Sequence, residues 1–429
     1  MSTALLTDRY ELTMLDAAIG AGTHERASVF EVFARHLPSG RRYGVVAGTG
    51  RLLELVERFR FGDGEIAWLR ENAIVRPDTL AWLAEYRFRG TVTGYREGEL
   101  YFPGSPILQV HGTFADSVIL ETLILSVLNH DSAVASAASR MVSAAEGRPL
   151  AEMGSRRTGE ASAVAAARAA FIAGFSATSN LEAGRTWGIP TMGTAAHSFT
   201  LLHDSEEEAF AAQVAALGPG TTLLVDTYDI ERGVETAVRV AGPGLGAVRI
   251  DSGDLPAVVA RVRAQLDSLG ATSTRITVTN DLDEYAIAAL RGAPVDSYGV
   301  GTAVVTGSGH PAAGMVFKLV AREGADGEWV SVAKHSSGKE NVGGRKIPVR
   351  RIADGVAVEE TVYVEEPAGD AAGRRLDVTL VEDGEPVAAH LGPGGVVAAR
   401  DHHRVAIGEL APDALRLSRG EPAIPTVYV

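Results

Sequence analysis

The chain has 429 residues, a net charge of −14 and no cysteine. Its length exceeds one small core and fits a barrel-sized domain with smaller companions. The negative balance argues against non-specific binding to nucleic acid or anionic membranes, and the missing cysteines remove disulfides, thiolate catalysis and cysteine-ligated metals.

The opening MSTALLTDRYEL lacks the basic start and apolar core of a secretory signal. An amphipathic LLTDRYELTMLDAAI follows, then RASVFEVFARHLP, which alternates like a strand. RGTVTGYREGELYFPGSPILQVHG mixes Gly, Pro and β-formers and predicts a hairpin-bearing sheet. VILETLILSVLNH reads as a buried helix. No stretch of about 18 uncharged apolar residues occurs, and the expected location is cytoplasmic. Residues 1–150 are thus expected to form an N-terminal α+β sheet domain.

The middle of the chain repeats short β-like runs followed by helical stretches. The runs are AEMGSRR (151–157), GFSATSN (174–180), PTMGTAAHSF (190–199), TTLLVDTYD (221–229), GAVRIDSGD (246–254), RITVTNDLD (275–283) and SYGVGTAVV (297–305). Strands separated by helices are the pattern of βαβ units. The fold class read from this is α/β: an irregular (β/α) barrel of about seven parallel strands over 151–310. In such a barrel the strand ends converge on one mouth. That would gather Arg156, Arg157, His197, Asp226, Asp251 and Asp254.

RIDSGDL (249–255) offers carboxylates for Mg²⁺ or ribose hydroxyls, with Asp251 foremost, and Arg249 for a carboxylate or phosphate. Asp254 is also placed to cap the next helix. SYGVGTAVV sets Gly299, Gly301 and Thr302 in a turn whose backbone N–H groups could cradle a phosphate. GSRRTG adds an arginine pair. His197, among small residues, is either a titratable reacting group or a histidine satisfied by its surroundings.

After the barrel, MVFKLVAR, EWVSVAKHS, KIPVRRIA, VEETVYV and RLDVTLVED predict antiparallel strands. EGADGE, SSGKENVGGRK, EEPAGDAAGR and HLGPGGVVA read as loops. Residues 311–429 are expected to pack with the N-terminal domain. All four lysines, Lys318, Lys334, Lys339 and Lys346, lie here. KHSSGKENVGGRKIPVRR (334–351) is a glycine-rich basic loop suited to a polyphosphate such as ATP or pyrophosphate, or else a solubilising hairpin. Lys334, Lys339, Arg345 and Lys346 are its candidate contacts, and it is no Walker P-loop.

LLTDRYELTM, GSRRTG, GFSATSNLEAGRTWGIPTMGTAAHSF, RIDSGDL, YGVGTAVVTG and the GGRK loop, in this order over roughly residues 5–350, resemble nicotinate phosphoribosyltransferases of the shorter bacterial form. The resemblance implies joining nicotinate to 5-phosphoribosyl 1-pyrophosphate, coupled to ATP hydrolysis, in NAD salvage. It implies a type II phosphoribosyltransferase fold with a sheet domain built from both chain ends. It also implies a homodimer in which one N-terminal segment helps close the other's site.

By the same resemblance His197 is the histidine that ATP phosphorylates. Thr194 and Arg249 would contact nicotinate, with Tyr10 closing over its ring. Arg157 with Arg156 would bind anionic groups, and Thr302 backed by Gly301 the 5-phosphate. Asp251 and Asp226 would face ribose hydroxyls or Mg²⁺. Ser198, Ser252 and Gly253 complete the expected substrate contacts. FSATSN (175–180) holds no carboxylate, which favours the acid over the amide. Three alternatives stay open: a nicotinamide- or quinolinate-using enzyme, a non-catalytic nucleotide-binding relative, and another phosphate-handling barrel enzyme such as an isomerase.

Overall fold

The computed structural model describes every residue except Met1, Ser39, 335–340, Glu365 and 368–372. The chain forms two compact units, one of Met1–Ser136 with His310–Val429, the other of Ala137–Gly309.

The first unit is built from both chain ends around a seven-stranded antiparallel sheet. Its strand order is Trp329–Ser331, Met315–Glu323, Ala27–Ala34, Leu108–Thr113, Thr91–Tyr95, Asp377–Glu382, Glu385–Pro386. Alternation sorts the side chains of Ala27–Ala34: Phe30, Val32 and Ala34 enter the main core, while Val29 joins Val320 and Ala321 in a small second cluster. A four-stranded sheet, Arg374–Arg375, Ile347–Ala353, Val356–Tyr363 and Thr426–Tyr428, and a short pair, Gly44–Val45 with Leu100–Tyr101, lie beside it. The five strands expected after the barrel all form, with Val356–Tyr363 starting two residues before VEETVYV and Met315–Glu323 ending one residue past MVFKLVAR. HLGPGGVVA is not simply a loop: a helix runs Gly392–Gly408, with proline in its first turn and Val396, Ala399, His403 and Ala406 buried at helical spacing. The glycines masked that start.

One stretch, 114–145, is long and apolar enough to cross a membrane, and 67% of its most apolar window is buried. The count of uncharged residues missed it because it contains Asp131. That carboxylate is fully buried and held by Arg51 at 2.8 Å, as in a core helix.

The second unit holds six parallel strands in the order Ala177–Thr178, Leu150–Glu152, Ser297–Val300, Arg275–Val278, Ala247–Ile250, Thr222–Leu224. The expected seventh strand is reduced to one bridge, Thr178 to Thr191. Pro190 has no N–H to donate, and the chain leaves the extended state for a helix at His197. The result is a half-barrel. Helices alternate with these strands. Ile230–Ala241 buries Gly233, Val234, Ala237 and Val238 on one face. A Cβ on Gly233 would sit 2.3 Å from the carbonyl oxygen of Val225, so glycine permits that close packing.

Candidate active site

Five strand ends of the half-barrel, with the segment that follows the Thr191 bridge, supply one polar mouth. From strand Ala247–Ile250, Arg249 is pinned on several sides. Its Nη1 donates to Thr194 Oγ1 at 2.5 Å and to Ala195 O at 3.2 Å; its Nε donates to Thr279 Oγ1 at 3.3 Å. Thr279 in turn donates to Asp251 Oδ1 at 2.5 Å. Asp251 Oδ2 lies 3.5 Å from Arg249 Nη2. The hydroxyl of Thr279 therefore links guanidinium to carboxylate and fixes both.

Asp226 is nearly sealed, with its side chain 1% exposed. Its Oδ2 accepts from Asp251 N at 2.8 Å and from Ser252 Oγ at 2.7 Å, tying two strand ends together. Its Oδ1 is buried and has no partner among the described residues. His197 begins a short helix, with Nδ1 3.1 Å from Thr227 Oγ1. Its Nε2 stands 4.0 Å from both Asp226 Oδ1 and Asp251 Oδ2. In the tautomer that donates from Nδ1 to Thr227 Oγ1, Nε2 is the nitrogen with the lone pair. That side chain is 42% exposed, so an incoming group can reach it.

A cleft of about 270 Å³ opens beside this cluster. Arg156, Arg157, Arg249, Asp251 and Thr302 line it, together with Met153, Thr279, Asn280, Asp281, Gly299 and Gly301. Gly299 is required there: a Cβ would lie 2.7 Å from Met153 Sδ and from Thr279 Cγ2. Asn280 and Asp281 take φ of 88° and 47°, an uncommon left-handed pair for non-glycine residues. The turn that carries Arg156 and Arg157 is anchored by Glu152, which accepts from Gly154 N at 2.5 Å and Thr178 Oγ1 at 2.6 Å. Burial pushes the Glu152 carboxyl above its usual range, against those hydrogen bonds. Thus 175–180 contains no carboxylate, yet a buried one from the next strand touches it.

The structure therefore brings together Arg156, Arg157, Thr194, His197, Asp226, Arg249, Asp251, Ser252, Gly301 and Thr302 in one unit. Gly253 turns the loop there with φ of 87°. Ser198 is exposed and does not line the cleft. Asp254 occupies the cap position of helix Leu255–Ser268, but its side chain makes no capping bond. Its expected capping contact is absent because its carboxylate does not reach the first-turn N–H groups.

Tyr10, Lys334, Arg345 and Lys346 belong to the other unit. Tyr10 is 45% exposed on helix Arg9–Ala21. Burial and neighbouring Glu121 hold its phenol well above the ordinary range. Lys334 is exposed, and Lys339 lies outside the described residues. Lys346 corrects the expectation of a phosphate contact. Its side chain has no exposure, and its ammonium is paired with buried Glu31 at 2.7 Å. Its backbone, bonded by Gln109 just before strand Ile347–Ala353, sets it inward while Arg345 stays exposed.

The cleft residues not singled out beforehand are Met153, Thr279, Asn280 and Asp281, with Glu152 behind them. All sit in the expected strand-end runs. Thr279, Asn280 and Asp281 directly follow a strand, which is the signal that could have found them. No cluster of three or more metal-binding side chains occurs among the described residues. Two carboxylate oxygens, Asp226 Oδ1 and Asp251 Oδ2, do converge near His197. That donor set suits Mg²⁺ arriving with substrate phosphates rather than an all-protein cage.

Residues 5–129 match the model of the nicotinate phosphoribosyltransferase (NAPRTase) N-terminal domain. A nicotinate phosphoribosyltransferase of Mycobacterium tuberculosis is 57% identical over 98% of this chain and 94% of its own length. One from Bacillus subtilis is 37% identical over 80% of this chain and 71% of its own. The crystal structure of human nicotinic acid phosphoribosyltransferase superposes with a TM-score of 0.82 at 25% identity, covering 99% of this chain and 97% of that one.

Proposed function

The chain belongs to the nicotinate phosphoribosyltransferase family, and on that premise we propose that it joins nicotinate to 5-phosphoribosyl 1-pyrophosphate. The observation that carries this reading is the cleft itself, where Arg249, Asp251, the arginine pair and the Gly299–Thr302 turn share one wall system. The pyridine nitrogen donates its lone pair to the ribose anomeric carbon. The bond from that carbon to the pyrophosphate oxygen breaks, and pyrophosphate leaves with the electron pair. Nicotinate mononucleotide remains. No general base is needed, because the nucleophilic nitrogen carries no proton.

The transition state has oxocarbenium character, so catalysis rests on charge placement and alignment. Arg249, held rigid by Thr194, Ala195 and Thr279, presents its guanidinium to the nicotinate carboxylate. Arg156 and Arg157 form no ion pair among the described residues and are available to the departing pyrophosphate. The Thr302 hydroxyl and the Gly301 turn receive the 5-phosphate. Asp251 orients the ribose hydroxyls. Mg²⁺, held by Asp226 and Asp251, would supply further neutralisation of the leaving group.

ATP enters this reading through His197. Nε2 attacks the γ-phosphorus, the bond to the bridging oxygen breaks, and ADP leaves; water later cleaves the N–P bond. The contact of Nδ1 with Thr227, which leaves Nε2 unbonded among the described residues, and the exposure of the side chain support this step. The phosphoryl charge would then stand beside Asp226 and Asp251 and repel them, resetting the anion site. Under the same proposal the protein is a cytoplasmic homodimer, with Tyr10 of a second copy closing over the pyridine ring. Lys334, Lys339 and Arg345 would contact ATP or pyrophosphate.

The test mixes protein, 5-phosphoribosyl 1-pyrophosphate and Mg²⁺ with nicotinate or nicotinamide, with and without ATP, beside His197→Ala. The expected result is conversion of nicotinate alone, stimulation by ATP, and a variant that keeps slow basal turnover but loses the stimulation. Conversion of neither pyridine under any condition overturns the reading.

A further inference from the structure

A second cavity, of about 580 Å³, lies within the antiparallel unit on the sheet face away from its main core. Strand alternation makes its floor: Val92 and Val110 point into the core, so Thr93, Gln109 and His111 point the other way. The segment leading out of the basic loop forms a wall. Gln109 clamps that wall by bonding the Lys346 backbone twice, Nε2 to O at 2.7 Å and Oε1 from N at 3.1 Å. Gly344 turns the chain just before it with φ of 92°; a Cβ there would lie 2.6 Å from Val364 Cγ1. The clamp and the turn together set Arg345 into the cavity, its guanidinium 5.1 Å from the ring centre of Trp329.

The charges in this cavity do not cancel. Arg375 grips Asp377 with two bonds, at 2.7 and 2.9 Å, and lies 3.8 Å from Glu366. Arg345 has no ion pair among the described residues. Among the described residues His111 has only a long contact, 3.4 Å, to Thr93. Burial and Arg345 hold the His111 imidazole below its ordinary range, with Asp377 acting in the opposite sense. Two nitrogen-bearing groups thus face one space, in a protein whose net charge is −14.

We propose that this cavity is an anion site that takes a small phosphorylated molecule, its phosphate held between Arg345 and His111 beside the Trp329 ring. The chemistry is that of a fixed guanidinium fork with a neighbouring ring N–H donor. Arg345, read above as an ATP or pyrophosphate contact, here serves a phosphate bound within the sheet unit, so binding does not require turnover.

Pyrophosphate is the probe, titrated without magnesium and followed by tryptophan fluorescence. The protein has four tryptophans, so Trp329→Phe identifies the local signal. The expected result is a saturable change that Trp329→Phe removes and that Arg345→Ala weakens by about tenfold or more, the loss typical of a charged hydrogen bond. Arg345→Lys retains charge but not the fork and should fall between. Arg249→Ala, which alters the cleft, should leave the signal in place. The proposal is overturned by no change into the millimolar range, by a change that survives Trp329→Phe, or by one that Arg249→Ala abolishes and Arg345→Ala does not. Because turnover is not read, failure of the nicotinate assay leaves this result interpretable.

Discussion

Each unit carries a cluster of arginines and carboxylates, and the two are built differently. In the sheet unit, Arg350 has no side-chain exposure and reaches Glu360 at 2.8 Å and Glu99 at 3.4 Å. Arg374 reaches Glu99 and Glu409, both at 2.6 Å, and His402 reaches Glu99 at 2.8 Å. Tyr95 donates to Glu360 at 2.6 Å. These bonds join segments from both chain ends, and both oxygens of Glu99 and of Glu360 are bonded. In the half-barrel, Arg249 stands 3.5 Å from Asp251, His197 is 4.0 Å from two carboxylates, and one oxygen of Asp226 has no described partner. The same residue types serve cohesion where their partners are within the fold, and chemistry where capacity is left over.

The largest effect should come from breaking the closed cluster. Arg350→Ala leaves buried carboxylates uncompensated and should cost about 3–5 kcal/mol of stability, read by urea unfolding. Arg350→Met with Glu360→Leu should cost much less, since apolar replacement of a buried pair avoids the desolvation penalty. The open cluster should respond in the opposite coordinate. Arg249→Ala should lower kcat/KM about 10²- to 10³-fold, as for loss of a preorganised charge donor, while the melting temperature moves little. A variant that instead loses stability in proportion would make Arg249 a structural residue.

Two carboxyls sharpen the contrast through pH. Burial alone would raise Glu99, but His402, Arg350 and Arg374 outweigh it and hold it well below the usual range. Its stabilising contribution is present above the unfolded pKa of about 4.3 and is lost as pH falls below it. Glu11 is the reverse: burial pushes it up to about 7, against hydrogen bonds from Thr122 and Thr7. The folded state then holds the extra proton, so its contribution is full below the unfolded pKa and is lost as pH rises through about 7. Glu11→Gln should therefore melt progressively higher than wild type as pH is raised from about 5 to 8. A constant offset across that range would remove Glu11 from the pH dependence.

The smallest effects concern two helix starts. Asp229 caps its helix by accepting from Arg232 N at 2.9 Å, whereas Asp254 makes no such bond. Asp229→Ala should cost about 1 kcal/mol and Asp254→Ala close to nothing, measured by thermal unfolding.

Much of the mouth was legible because strand ends in a βαβ chain carry their polar residues in fixed positions along the sequence. Arg249 and Asp251 flank one strand-end position, and Arg156 and Arg157 another. The reading failed where local signals were ambiguous. Pro190 made a strand-like run into a single bridge, and the glycines before Val396 concealed a helix. Lys346 reads as a loop cation, but Gln109 holds its backbone and Glu31 takes its ammonium inside. Asn280 and Asp281 drew no attention, since nothing in their spacing announces a left-handed backbone.

The sequence by itself determined the alternation of strands and helices, the apolar faces that bury them, and the set of polar residues at the strand ends. These depend on local periodicity, which each segment carries alone. Only the tertiary structure decided which charges are spent and which remain available. Pairing of Lys346 with Glu31, or of Arg350 with Glu360 and Glu99, depends on contacts across as many as 315 residues of chain. Coulombic and hydrogen-bond energies follow distance in space and burial, and no spacing along the chain encodes either.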